Sequence, residues 1–163
     1  KQEKTIAKEV IKKGKRMIIL VNKWDLASGT NVSAELYKED MYMEFKDLQH
    51  YPILFVSALT KRRVSNILEI AWEIFTKQRD KLSTKELNIW IEKVVRNYPP
   101  PATQGKSIKI KFVEQVQQSP PIFALFSNYT KLISIQYLRY LHNKLRESFD
   151  LKGITIKFSL RKG

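Results

Sequence analysis

The sequence contains no cysteine, which excludes a disulfide framework and all thiolate chemistry and fits a reducing compartment. Glycine is scarce, five in 163 residues, so loops that cradle phosphates with successive backbone N–H groups have few places to form. Acidic side chains are outnumbered, 16 against 30 Lys and Arg, for a formal net charge of +14. No apolar run approaches the roughly 20 residues that a membrane helix needs, and no signal-peptide pattern opens the chain. The cytoplasm is therefore the expected location, with no membrane partner. His50 and His142 lack a Cys or His neighbour in the sequence, so no metal site is expected. Asn31-Val32-Ser33 and Asn128-Tyr129-Thr130 match the glycosylation pattern, which carries no meaning without a secretory signal.

What is present is enough for real cores. Hydrophobic residues make up 43% of the chain, and its length suits one ordinary domain or two small ones. The charge is uneven: residues 1–82 hold 16 basic and 11 acidic side chains, residues 83–163 hold 14 and 5. A basic excess of this size points to a polyanionic partner, nucleic acid first and an anionic membrane surface second. Because the charges are dispersed, a merely solvated surface is the plain alternative.

Met17-Ile18-Ile19-Leu20-Val21 reads as a strand buried on both faces, as in a parallel sheet, and it ends in Asn22-Lys23-Trp24-Asp25. Guanine offers two adjacent donors that one rigid carboxylate can accept together, and Asp25 is placed for that. Asn22 can bind the other edge of the base or tie neighbouring loops, and the stem of Lys23 can lie along the ring. Adenine would leave Asp25 without donors, which gives strong discrimination. The plain alternative makes Asn22 and Asp25 turn caps and Lys23 and Trp24 surface and packing residues. A second apolar run, Ile53-Leu54-Phe55-Val56, leads into Ser57-Ala58-Leu59. Such a turn supplies a backbone N–H to the base carbonyl oxygen in guanine-nucleotide domains, and strand ends of open α/β sheets are where ligands bind.

Around these runs the periodicity predicts a helix over residues 4–13 with Ile6, Ala7, Val10 and Ile11 on one face and Gly14 as its cap. Ser28 to Asn31 reads as loop, residues 33–48 as helix, and Val64, Ile67, Leu68, Ala71, Ile74 and Phe75 as an amphipathic helix running to about Arg79. In the second half, Ser83 and Glu86 fit a capping box before Leu87, Trp90, Ile91, Val94 and Val95. Ile108, Ile110 and Phe112 alternate with Lys109 and Lys111, predicting a strand with one buried and one basic face. Residues 122–127 read as a second strand. A helix follows over 134–149, with Ile135, Leu138, Leu141, Leu145 and Phe149 inward and Arg139, Asn143 and Arg146 outward. Ile154, Ile156, Phe158 and Leu160 make the last strand. The expected fold is thus the end of a parallel α/β layer over residues 1–81, then an α+β domain of order α-β-β-α-β over 83–163.

The chain resembles the C-terminal part of the double-Era-like bacterial GTPases called Der or EngA. The likeness rests on Gly14-Lys15, Asn22-Lys23-Trp24-Asp25 and Ser57-Ala58-Leu59-Thr60 in the first half. In the second it rests on Thr84 to Asn88, Pro120-Pro121-x-Phe123, Phe126-Ser127-Asn128 and Tyr137-x-Arg139-Tyr140-Leu141-x-Asn143-x-Leu145-Arg146-Glu147. It implies the end of a second P-loop-type GTPase domain, a KH-like domain, GTP or GDP with Mg²⁺ as ligands of the intact parent, and the large ribosomal subunit and its rRNA as partners. Lys61 stands where the family usually has Gly, leaving the backbone at that turn open.

Phosphate binding needs a Gly-rich loop with a Lys and a Mg²⁺-binding Ser or Thr. Gly105-Lys106-Ser107 is the nearest match, but Pro99-Pro100-Pro101 precede it and no strand leads into it. No catalytic residue is assigned, and these residues alone are expected not to hydrolyse GTP or to bind it tightly. Nor is there a Gly-x-x-Gly, the loop with which RNA-binding KH domains clamp the backbone. Contact with rRNA would instead use surface charge: Lys109, Lys111, Lys157 and Arg161 on an open sheet face, Arg139 and Arg146 on a helix. The competing reading is a non-enzymatic RNA- or ribosome-binding module whose nucleotide half is vestigial.

One consequence is testable at once. The run 17–21 carries no charge or Pro to discourage pairing on an open edge. The 163-residue chain is expected to self-associate through residues 17–21, seen by sedimentation, or else residues 1–81 rearrange or loosen while the KH-like domain stays folded. Hydrogen exchange is expected to protect 108–160 better than 17–56, and a dilute monomer with both halves equally protected contradicts this.

Overall fold

The computed structural model describes residues 2–27, 30–76 and 81–163. The chain divides into two compact units, residues 1–77 with 152–154, and residues 78–151 with 155–163.

The first unit opens with α1 (Gln2–Lys12), which ends as its sequence predicts. Gly14 takes φ +69°, and the bonds Gly14 N–H to Ile11 O and Lys15 N–H to Val10 O close the helix end. Of its expected apolar face, Ala7 is buried but Ile6 is 64% exposed. Next come β1 (Ile19–Val21), α2 (Ala34–Glu44), β2 (Ile53–Phe55) and α3 (Ser65–Thr76). Ser33 caps α2 by accepting from Leu36 N–H, and the helix stops at Glu44 rather than near Leu48, where a tighter 3-10 turn, Lys46–His50, takes over. Ser28 and Gly29 of the expected loop, and residues 77–79 of the expected last helix, lie outside the described residues.

β1 pairs with β2 in parallel, Ile19 opposite Ile53 and Val21 opposite Phe55. The strand is not buried on both faces as its composition predicts: Leu20 is 45% exposed. Composition reports what a strand tolerates, whereas burial depends on neighbours, and among the described residues β2 is the strand that pairs with it. Ala7, Phe45 and Leu48 form the core here, with Ile11, Met17, Ile19 and Met41 against it. On α3, Ile74 is buried while Leu68, Trp72 and Phe75 are exposed, so its apolar stripe is only partly used. Gly153, at φ +78°, donates to His50 O and sits so close to Ile74 that an added Cβ would lie 2.8 Å from its Cδ1.

The second unit is α4 (Thr84–Asn97), β3 (Ile110–Gln118), β4 (Pro121–Ser127), α5 (Ile135–Ser148) and β5 (Lys157–Lys162). Its sheet has the order β3-β4-β5, with β3 antiparallel and β5 parallel to the central β4. The parallel return from β4 to β5 needs a crossover, which α5 provides. Ser83 sits at the N-cap of α4 but its side chain makes no capping bond, so the capping box does not form. Leu87, Trp90, Ile91 and Val94 nonetheless bury the predicted face. On α5 the inward set begins at Tyr137, not Ile135, which is exposed. Ser134 caps this helix, so Ile135 falls in the first turn, outside the packed stripe.

Polar side chains lock these elements together. Asn88 of α4 pairs with both backbone groups of Val113, and Trp90 Nε1 donates to Lys144 O at 3.3 Å. The Tyr137 hydroxyl donates to Tyr98 O at 2.8 Å; burial, then the Tyr140 and Tyr98 phenols, push its ionisation well above the ordinary tyrosine value. Leu141 has no exposed surface. Leu141→Ala is expected to cost about 2–5 kcal/mol and Ile135→Ala less than about 0.5 kcal/mol, measured by urea denaturation of the full chain followed at Trp90.

Candidate functional site

Parallel pairing puts the C-terminal ends of β1 and β2 side by side, so both loops named from the sequence leave the same end of the sheet. The ladder continues past the strands: Val56 N–H donates to Val21 O at 2.9 Å and Trp24 N–H to Val56 O at 3.0 Å. Between them Lys23 turns the chain with φ +60° into a 3-10 turn, Trp24–Ala27. A left-handed conformation in a residue with a Cβ costs roughly 1–2 kcal/mol and is typical of functional turns. Trp24 is fixed by Phe55, ring centroids 4.4 Å apart, and by the edge of Tyr37 at 5.7 Å. Packing of Trp24 therefore anchors the turn on the N-terminal side of Asp25, while Leu26 after it is exposed.

The carboxylate atom Oδ1 of Asp25 is shielded from solvent and has no hydrogen-bond donor among the described residues. A buried acceptor without a donor is costly unless a ligand supplies one. The unfilled bonding capacity fits the paired N–H donors of a guanine edge.

Asn22 resolves the choice left open by its sequence. Its Oδ1 accepts from Ala58 N–H at 3.0 Å, tying the two loops across 36 positions. The turn is expected to offer a backbone N–H to a base carbonyl oxygen, and at Ala58 that donation would compete with this internal bond. Ser57 is fully buried and its hydroxyl accepts from Thr60 N–H at 3.1 Å, while Ala58 and Leu59 are exposed at the tip of the turn. Lys61 takes φ +58°, the conformation that Gly would supply freely, and Arg63 does the same. A bridge from Ser57 to Arg62 holds the loop closed despite that cost.

Phosphate contacts are another matter. The triplet Gly105-Lys106-Ser107 lies in a turn where Thr103 and Lys106 exchange backbone bonds, away from any strand-to-helix junction. The sequence holds one Asp-x-x-Gly, Asp150-Leu151-Lys152-Gly153, which follows α5. Its glycine is used in packing against Pro52 and Ile74. Neither stretch offers a nest of N–H groups for phosphate.

The basic candidates of the second unit separate. Phe158 meets the ring of His142 on α5 at 4.7 Å, which marks the helix-covered side of the sheet. Lys157 and Arg161 alternate with it and lie on the open side, Lys157 half-buried and Arg161 exposed. Lys111 joins them, because a Cβ at Gly163 would lie 3.5 Å from Lys111 Cδ and 3.1 Å from Phe126 Cβ. Lys109 does not, since β3 starts after it; Asn128 holds this segment by accepting from Lys109 N–H at 2.8 Å and donating to Ser107 O at 3.0 Å. The predicted alternation also breaks. A bulge between Ile110 and Phe112 turns Phe112 to the open side and Val113 inward. Arg139 and Asn143 are exposed on α5, whereas Arg146 is drawn back to the chain, its Nη1 donating to Leu151 O at 2.8 Å.

The first unit thus brings two loops to one end of a parallel strand pair and the second is a small α+β module, and among the described residues no helix is long and apolar enough to cross a membrane. Residues 81–161 match the KH-domain-like C-terminal part of EngA bacterial GTPases. Proteins named GTPase Der align along nearly the whole chain: 42% identity over 97% of it for the Fusobacterium nucleatum protein, 39% over 92% for that of Flavobacterium johnsoniae, and 36% over 99% for that of Chlorobium phaeobacteroides. The chain belongs to this Der/EngA family of GTPases, corresponding to its C-terminal part. It spans about a third of the length of these curated relatives, 34–37%.

The strained turn yields a local test. Lys61→Gly is expected to raise stability by about 1 kcal/mol by removing left-handed strain, read as a shift in the urea midpoint; an unchanged or lowered midpoint shows that the turn stores no such energy.

Proposed function

We propose that this chain carries the guanine-recognition edge and the RNA-facing module of a factor that binds and hydrolyses GTP in assembly of the large ribosomal subunit. The observation that carries the nucleotide half is Asp25, held by the Trp24 contacts with one carboxylate oxygen buried and lacking a donor. Asp25 accepts the paired donors of guanine, Lys23 covers the ring with its aliphatic stem, and the turn 57–59 closes beside it, fastened by Asn22. Such recognition selects the base without acting on it. The chemistry at the γ-phosphate, with Mg²⁺, requires a phosphate loop that these 163 residues do not contain. Alone, they bind GTP and GDP weakly and equally and do not turn GTP over.

The excess of 14 basic over 5 acidic side chains in residues 83–163 and the exposed Lys111, Arg139 and Arg161 support an rRNA-contacting role for the second unit. In the intact protein, Asp25→Asn is expected to shift preference from GTP towards XTP, whose additional carbonyl oxygen matches an amide donor. The measurement is titration calorimetry with both nucleotides. An unchanged GTP-to-XTP affinity ratio removes Asp25 from the specificity role, and tight GTP binding by the 163-residue chain contradicts the division of labour. A gene product with no phosphate loop upstream would favour a binding module without turnover.

A further inference from the structure

Three side chains form one rung across the open face of the second unit's sheet: Phe112 on β3, Phe126 on β4 and Arg161 on β5, aligned by the strand register. The two rings lie nearly parallel, centroids 4.0 Å apart at 12°, and the Arg161 guanidinium covers Phe126 at 5.9 Å. Phe112, on the outer strand, is 38% exposed. Stacked rings are one of the geometries aromatic pairs prefer; here the strand pairing sets the stack, and the column of planar groups ends on the outer strand. Lys111 precedes the ring in the bulge, and Lys157 and Arg161 lie on the same side; Glu114 is the acidic residue among them. A π face next to several cations is the arrangement that binds unpaired nucleotides, the ring taking the base and the cations its phosphates.

We infer that Phe112 stacks an unpaired base of single-stranded RNA, extending the Arg161-Phe126-Phe112 column, with Lys111 beside it on a flanking phosphate. The inference rests on the RNA-contacting reading of this unit and gives it a site. Exposed strand positions can carry an aromatic pair for sheet stability alone, worth about 0.2–1 kcal/mol, so the test must read binding and not only folding.

The test uses the full 163-residue chain and a fluorescein-labelled, unstructured RNA of about ten nucleotides, within the usual site size for such surfaces. Anisotropy is followed across a salt series. Phe112→Leu is expected to weaken binding by about tenfold at every salt concentration, the loss of one stacked base, with the salt slope unchanged. Phe112→Trp is expected to retain or exceed wild-type affinity. Replacing Lys111 and Lys157 together instead flattens the slope, because counterion release falls. Independently of any variant, ultraviolet crosslinking of the wild-type chain is expected to attach RNA to the peptide containing Phe112. Unchanged affinity in Phe112→Leu overturns the stacking site; if the lysine variant still weakens binding, the RNA-contacting reading survives. Wild-type chain that binds ribosomal subunits but not the oligonucleotide has the same meaning. Binding to neither overturns both, and a Phe112-dependent complex with protein alone reassigns the face.

Discussion

The first unit depends on the parallel register of two short strands. Ile19 to Val21 lies against Ile53 to Phe55 with both C-terminal ends on one side, and the ladder continues through Val56 and Trp24. Antiparallel pairing would send the loops 22–25 and 57–59 to opposite ends of the sheet. Parallel pairing instead brings together two stretches more than thirty residues apart, and the side-chain bond from Ala58 N–H to Asn22 helps to fasten them. A buried, donor-free oxygen on Asp25 is tolerable because the surrounding turn is over-determined: Lys23 is bent into a left-handed conformation and Trp24 is wedged between Tyr37 and Phe55. Stability elsewhere maintains a local deficit where a ligand would fill it.

The second unit is organised by different means. Its apolar core is supplemented by amide and phenol side chains that bond to backbone rather than to each other: Asn88 to Val113, Asn128 to Ser107 and Lys109, Tyr137 to Tyr98. Each satisfies main-chain groups that a three-stranded sheet and two helices would otherwise leave unpaired at their margins. Arg146 belongs to this set, bonding Leu151 O beyond the end of α5. A charged residue can thus serve folding while its neighbour Arg139, on the same helix, stays at the surface.

Most elements were legible because their signals are local. The Gly14 cap, the buried stripe of α4 and the apolar run of β4 follow from spacing and backbone preference alone. The misses share a cause: each depended on what lies next to the residue in space. Leu20 and Ile6 have apolar identities but no neighbour to cover them. Phe112 changed sides because a bulge inserts one residue into the period-two count. Arg146 reads as a surface cation in any pattern analysis, since its acceptor is a backbone oxygen and backbone leaves no trace in composition. The motif at 22–25 was visible, yet the strain at Lys23 and the Ala58 bond of Asn22 were not. Those are consequences of geometry that the motif only permits.

That geometry also constrains how base recognition could report on phosphate chemistry. Asn22 Oδ1 holds the Ala58 N–H in this structure, while a turn of this kind is expected to give a backbone N–H to a base carbonyl oxygen. One N–H can share two acceptors only with weakened geometry at both. A guanine that used the Ala58 N–H would compete with the tie between the loops, whereas one that used the exposed Leu59 N–H would leave it intact. The turn is already strained at Lys61 and Arg63, joined to Ser57 through the Arg62 bridge. The same loop carries three exposed cations, Lys61 to Arg63, so the tie at Ala58 and this surface charge belong to one short, strained segment.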